Sequence, residues 1–125
     1  MFRDYRGKTK EGEWVYGYYV LEDGEHGIMT QANTTSFLIW NEVIEETVSQ
    51  ATGLMDKNEV MIYGGDIVKF ESWDKPRKIV FKDGSFCSMD LGIDIKCEIA
   101  IQPILSTHGK GEVIGNTTDN KELIQ

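Results

Sequence analysis

The 125-residue chain carries 13 Lys and Arg against 21 Asp and Glu, a net charge of −8, and 40% of its residues are hydrophobic. That length suits one compact domain with a small appendage. The acidic balance argues against a general binder of nucleic acid or anionic membrane, which needs a positive field. No apolar run nears the roughly 18 residues of a membrane span, and no apolar signal core follows the basic start MFRDYRGKTK. The expectation is a soluble cytoplasmic protein with no membrane contact, its cysteines Cys87 and Cys97 kept as thiols.

Aromatic and β-branched residues run from Trp14 to Leu21 and predict a strand, Asp23-Gly24 a turn, and Ile28 to Gln31 a second strand. The next stretch, NTTSFLIWNEVIEETVSQ, reads two ways. Phe37 to Trp40 fits a short buried strand, while Trp40, Ile44 and Val48 share a helical spacing. Thr47, Val48 and Thr52 favour strand after Glu46.

From there the pattern is β. ETVSQATGL leads to a turn at Asp56-Lys57-Asn58, EVMIY is a strand, Gly64-Gly65 breaks it, and DIVKFES is the next strand. WDKPRK is a polar connection, since its proline cannot donate to a central ladder. IVF, the turn Lys82-Asp83-Gly84 and SFCSM form a hairpin, CEIAIQPIL another strand, STHGKGE a loop and EVIG a last strand. Asp119, three residues before Glu122, signals a cap for one terminal helical turn. Many short strands with little helix predict a mainly β fold, a small barrel or sandwich. Each strand must bury one face, and the expected core is Val48, Leu54, Ile62, Ile67, one of Ile79 and Val80, and Ile114.

Two blocks, TVSQATGLMDKNEVMIYGGDIVKF and EVIGNTTDNKELI, resemble the signature blocks of the YopX family of bacteriophage and prophage proteins. The likeness is carried by Thr47-Val48, Gln50, Thr52-Gly53-Leu54, Asp56-Lys57, Ile62-Tyr63 and Gly65-Asp66-Ile67-Val68 in the first block. In the second it is carried by Glu112-Val113-Ile114-Gly115-Asn116 and Glu122-Leu123; Phe2-Arg3 and Trp14-Val15-Tyr16-Gly17 also fit. Ser49, Gly64 and Thr117 depart from the pattern at positions the fold tolerates. The resemblance implies an SH3-like barrel over residues 46–125 and a small N-terminal β-rich subdomain over residues 1–45. It supplies no catalytic residue.

Gly64-Gly65-Asp66 could suggest a phosphate cradle, but such a cradle feeds a helix N-terminus and these glycines feed a strand. They read as a structural turn that needs positive φ, with Asp66 accepting a nearby backbone N–H. Gly115-Asn116 reads likewise as a left-handed corner. His26 and His108 stand in polar, glycine-flanked stretches without a second ligand of metal-site spacing, and both read as surface histidines. Glu42, Glu45 and Glu46 read as a solvated face. The ligand-facing candidate is FESWDKPRK, where Trp73 stands beside Lys75, Arg77 and Lys78, an aromatic platform with cations for a stacked base and a phosphate. Against it, Trp73 could cap the barrel end while the cations solubilise the loop.

No cofactor or metal motif and no nucleophile elbow stands out. The expectation is a non-enzymatic phage or prophage accessory protein acting through a protein partner or as a homo-oligomer. The alternative is a nucleic-acid-binding module built from the basic residues 1–10, four cations against one acid, and the Trp73–Lys78 loop.

Overall fold

The computed structural model describes residues 4–31, 38–71, 74–82, 84–91, 101–103 and 111–124. It is mainly β, with two antiparallel sheets and no α-helix among the described residues. The chain divides into two compact units, residues 1–51 and 52–125.

In the first unit, β1 (Tyr5–Lys8), β2 (Trp14–Glu22), β3 (Glu25–Gln31) and β4 (Leu38–Glu42) make an antiparallel sheet in the order β4-β3-β2-β1. A 3₁₀ turn, Glu45–Thr47, leads into β5 (Ser49–Met55), whose first residues pair with β1 (Tyr5 with Gln50, Arg6 with Ser49). The Asp23-Gly24 turn joins β2 to β3 with both residues at positive φ, 52° and 79°. Two such residues give the type I′ twist that a two-residue hairpin needs. Residues 46–51 stay with this unit rather than with the second. The Thr47 hydroxyl accepts the Lys8 N–H at 2.8 Å, and the Ala51 N–H donates to the Asp4 carbonyl at 2.7 Å. The compact units accordingly divide between residues 51 and 52.

The open choice at Trp40–Val48 resolves as strand followed by one 3₁₀ turn, with no helix carrying the three residues on one face. β1 has no counterpart among the sequence-predicted strands. Its YRGK carries one large apolar residue, too little for a period-2 signal, and it is a strand because both neighbours pair with it.

The second unit holds the rest of β5 with β6 (Met61–Tyr63), β7 (Asp66–Phe70), β8 (Arg77–Lys82), β9 (Ser85–Asp90), β10 (Ile101–Pro103) and β11 (Gly111–Asn116). The last five form a sheet in the order β10-β9-β8-β7-β11, and no ladder between described residues closes it. A final 3₁₀ turn spans Lys121–Ile124. Asn120, not Asp119, stands directly before it, and the Asn120 carbonyl accepts the Leu123 N–H. Arg77 and Lys78 open β8 and pair with Val68 and Ile67, so the polar connection ends at Pro76.

The core is Ile62, Val68, Phe70 and Ile79, with Leu54, Phe86 and Val113 packed against it. Ile67 is also fully buried, Ile79 rather than Val80 points inward, and Val48 is half-buried. Ile114 departs from expectation: it is 44% exposed. In β11 Gly111 and Val113 pair with the core residues Phe70 and Val68, so Ile114, next in the alternation, turns outward, at the point where the β11–β7 register shifts between Val113 and Gly115. Period-2 alternation sets Val113 and Ile114 on opposite faces but does not say which of the two faces inward.

A buried carboxylate ties the β5–β6 turn to β11. Asp56 Oδ1 accepts the N–H groups of Asn58 (2.8 Å) and Val60 (2.9 Å), and Oδ2 accepts that of Val113 (3.0 Å). Burial pushes the Asp56 pKa up, but the three N–H donors and the nearby Lys57 outweigh it, and the net shift is downward.

Ile67→Ala should cost about 2–5 kcal/mol, the usual range for a closely packed site, whereas Ile114→Ala should cost less than about 1 kcal/mol because its side chain is largely solvated. Urea unfolding of the two variants measures both.

The folded-state pKa of Asp56 lies below its unfolded value, so its carboxylate contributes stability above the ordinary aspartate range and loses it as pH falls through the folded pKa. Unfolding free energy should therefore decline below about pH 4, and Asp56→Asn should both lower stability at pH 7 and flatten that decline. A pH series of denaturation midpoints checks the sign.

Candidate functional site

The sheet of the first unit has two unlike faces. Side chains alternate along a strand, so the registers Tyr18–Met29 and Met29–Trp40 place Tyr16, Tyr18, Met29, Leu38 and Trp40 on one face. Four of these are exposed large hydrophobics: Tyr16 40%, Tyr18 54%, Leu38 52% and Trp40 36%. The other face carries Ile28, with no exposed surface, and Val43, whose N–H donates to the His26 carbonyl. Leu21 and Ile39 are exposed on that second face, towards the hairpin end and the edge strand.

Gly27 explains how Trp40 lies. A Cβ at residue 27 would collide with the six-membered ring of Trp40, so the indole rests flat on the glycine backbone. Aromatic cover of a strand glycine fixes the ring at no side-chain cost on the glycine. Beyond it, at the β2–β3 hairpin end, Glu22 pairs directly with Glu25. Among the described residues, Glu22, Asp23, Glu25 and Trp40 line an open cavity of about 260 Å³. Carboxylates beside an indole attract cations, by Coulomb interaction and by the ring quadrupole.

The opposite end of the same face is basic. The Arg6 guanidinium lies 4.7 Å from the centre of the Trp14 ring and the Lys8 ammonium 5.8 Å from it. Arg6 is buried, and its Nε donates to Ser49 Oγ at 3.1 Å. The face thus runs from cations at Trp14, through tyrosines, to carboxylates at the hairpin.

On the other face, His26 is not the isolated surface residue the sequence suggested. Its ring stacks on Tyr19 at 5.9 Å, its Nδ1 shares a hydrogen bond with the Tyr19 hydroxyl, and its Nε2 lies 3.4 Å from Glu45 Oε2. Tyr5 packs on Tyr19 in turn, at 5.7 Å. The partner is Glu45 rather than the sequence-near Glu22, Asp23 or Glu25, because the 3₁₀ turn returns over β3. The Tyr19 hydroxyl, imidazole and Glu45 carboxylate make a relay that locks this turn to the sheet.

In the second unit the two glycine corners come together. Gly65 has φ +87°, and Asp66 Oδ2 accepts the Tyr63 N–H at 2.8 Å. Asn116 pairs with Asp66, and the Thr117 N–H donates to the Gly65 carbonyl at 2.8 Å. Neither Gly115 nor Asn116 is at positive φ, so a left-handed corner is not what they make. Asn116 Oδ1 instead accepts the N–H groups of Thr118 and Asp119 in an Asx turn. Gly115 is required because the Asn120 side chain, which accepts the Asn116 N–H, lies where a Cβ would stand.

The aromatic–cation loop separates into different roles. Trp73 lies outside the described residues. Lys75 is exposed and Lys78 half-buried within β8. Arg77 is 1% exposed: Nε donates to Ser88 Oγ (3.0 Å), one terminal nitrogen to the Ser88 carbonyl (2.9 Å) and the other to Asp90 Oδ1 (2.7 Å). Burial draws the guanidinium pKa below its ordinary value, and Asp90 pulls it back up. Its donors point into β9, so Arg77 acts as a cross-strand clamp. The residues of the exposed face went unread as a site because alternation marks a strand without saying which face stays bare. Gly27 two residues before Met29 was the available signal.

Among the described residues no group of three or more His, Cys, Asp or Glu could hold a metal ion. Cys87 is a buried thiol on β9, and Cys97 lies outside the described residues. No helix among the described residues is long and apolar enough to cross a membrane.

A family model described as YopX protein matches residues 2–125. Among solved structures, the chain is similar to protein EF1440 from Enterococcus faecalis, with 26% sequence identity and a TM-score of 0.57 over 98% of this chain and 97% of that one. No curated protein matches.

Arg77→Ala should lower stability by about 2 kcal/mol or more, since it strands buried partners on β9, while Lys75→Ala should change it by less than about 0.5 kcal/mol. Paired thermal and urea melts separate the clamp from the surface cation.

Proposed function

The chain belongs to the YopX family, and we propose that it works there as a non-enzymatic accessory protein by contact with another protein or with itself. The observation that carries this reading is the bare aromatic face of β2–β4, where Tyr16, Tyr18, Leu38 and Trp40 stand exposed together. Tyrosine and tryptophan bury much area for few rotatable bonds and dominate protein interfaces. Contiguous exposed apolar surface of this kind marks interaction sites in soluble proteins. The Tyr19–His26–Glu45 relay is read as structural, since it ties the 3₁₀ turn Glu45–Thr47 to β3.

The same proposal takes the second unit as an SH3-like barrel in a phage or prophage protein of the bacterial cytoplasm. Supporting it are the short antiparallel strands β7, β8 and β9, the bulged β11, and the small core of Ile62, Val68, Phe70 and Ile79. The alternative, single-stranded nucleic-acid binding by residues 1–10 and the Trp73–Lys78 loop, draws on fewer surface cations than the sequence offers. Arg6 and Arg77 are both buried and bonded within the fold.

A photo-crosslinking residue placed at Tyr18 should give one discrete protein adduct, a second copy or a partner from induced host cells, and Leu38→Asp should abolish it. A monomer without any adduct would reject the contact reading. Single-stranded DNA or RNA bound at micromolar affinity in about 0.15 M salt, and lost in Lys75→Glu/Lys78→Glu, would favour the nucleic-acid reading instead.

A further inference from the structure

We propose that the bare face of β2–β4 is covered by a second copy of this chain, packed face to face about a two-fold axis that crosses the strands near Tyr18. This rests on the contact reading above and commits it to one occupant. The argument is the charge order along the face. Arg6 and Lys8 lie over Trp14 at one end. Glu22 and Glu25 pair at the other, beside the cavity that Trp40 walls. Along β2, Trp14 and Glu22 lie at equal sequence distance either side of Tyr18. A two-fold axis there, lying in the interface and perpendicular to the strands, brings the cationic end of each copy over the acidic end of the other. Such isologous contacts are the commonest route to soluble oligomers.

A basic partner segment would satisfy the carboxylates but would leave Lys8 facing like charge. A second copy matches both ends at once. The like-charge pair Glu22–Glu25, which is unfavourable in an isolated hairpin, gains a cation from across the interface. Lys8 supplies it: the side chain is half-buried along Trp14 and its ammonium lies at the ring's margin. Tyr18 and Trp40, in the row on the axis, then meet their symmetry copies, with Tyr16 and Leu38 flanking them. With about 3.3 Å per residue and about 4.8 Å per strand, nine residues of β2 across four strands give a face of roughly 500 Å² in projection. A standard stable interface buries about 800 Å² per partner. The face is smaller than that, which places the dimer among the small, reversible interfaces.

Charge exchange tests the arrangement. Glu22→Lys/Glu25→Lys gives a face basic at both ends, and Lys8→Glu shifts the other end towards acid. Each variant alone should dissociate at least tenfold more readily than wild type in sedimentation velocity, and an equimolar mixture should recover association. Circular dichroism confirms that each is folded. A second measurement uses the unaltered protein: a mixture of ¹⁴N- and ¹⁵N-labelled chains treated with a zero-length carbodiimide should yield mixed-isotope cross-links from Lys8 to Glu22 or Glu25. A wild type that is monomeric at 0.1 mM order of concentration, variants that associate as wild type does, or cross-links confined to single chains would each overturn the proposal. A monomer that still gives a host adduct at position 18 would overturn the second copy as occupant while leaving the contact reading in place.

Discussion

A β-sheet one layer thick buries only the face that something else covers. In the first unit the cover falls on one side. The 3₁₀ turn Glu45–Thr47 and Val43 return over β3, where the Lys8 carbonyl accepts the Ile44 N–H, the Thr47 hydroxyl accepts the Lys8 N–H and the His26 carbonyl accepts the Val43 N–H. Ile28 is sealed beneath them, and the Tyr5–Tyr19–His26 stack finishes that side. The reverse face keeps its aromatic residues because no described element of the unit lies on it. Large apolar side chains held in water lose burial free energy of about 25 cal/mol per Å², so a contiguous set of them is a cost that folding alone does not recover.

The second unit meets a different constraint, charge inside a small core. Asp56 and Arg77 are both buried, and each is compensated by geometry rather than by an equally buried counter-ion. Asp56 collects three backbone N–H groups across a turn and a distant strand. Arg77 spends its guanidinium on Ser88 and on Asp90, which is itself largely exposed. A buried ion pair contributes little net stability, but one partner left alone costs a great deal. These side chains therefore specify register more than they add stability. Asp56 holds β11 at Val113, just before its bulge, and Arg77 holds β8 against β9 at the end remote from their hairpin turn.

Much of this was legible in the sequence. Turn chemistry placed Asp23-Gly24 and Gly64-Gly65, and the alternation of β-branched and aromatic residues placed β2, β7 and, of the core, Leu54, Ile62, Ile67 and Ile79, but not Val68 or Phe70. What was not legible depended on residues far apart in the chain. β1 is a strand because two neighbours pair with it. Ile114 faces out because Val113 beside it pairs with the core residue Val68. Gly115 is a glycine because Asn120 folds back on it, not because its backbone is left-handed. The candidate face was hidden for the same reason: a strand with tyrosine at every second position reads the same whether the tyrosines are inside or outside. Arg77 was misplaced because a motif of neighbouring cations carries no information about which of them turns inward.

The placing of the arginines decides which cations a partner can reach on a chain of net charge −8. Arg6 and Arg77 are buried and bonded inside their units, so two of the 13 basic residues offer little contact to a partner. Asp56 and Asp66 are buried as well, so burial withdraws two charges of each sign and the accessible surface keeps its acidic balance. A polyanion approaching it meets a field that repels over about a Debye length, near 8 Å at physiological salt. A protein approaching it meets local order instead, cations at one end of an aromatic strip and carboxylates at the other. Attraction at that range depends on the arrangement of charges rather than on their sum. A surface that is acidic overall but ordered in this way discriminates by orientation, and the partner it suits best carries the reverse order along a face of the same length.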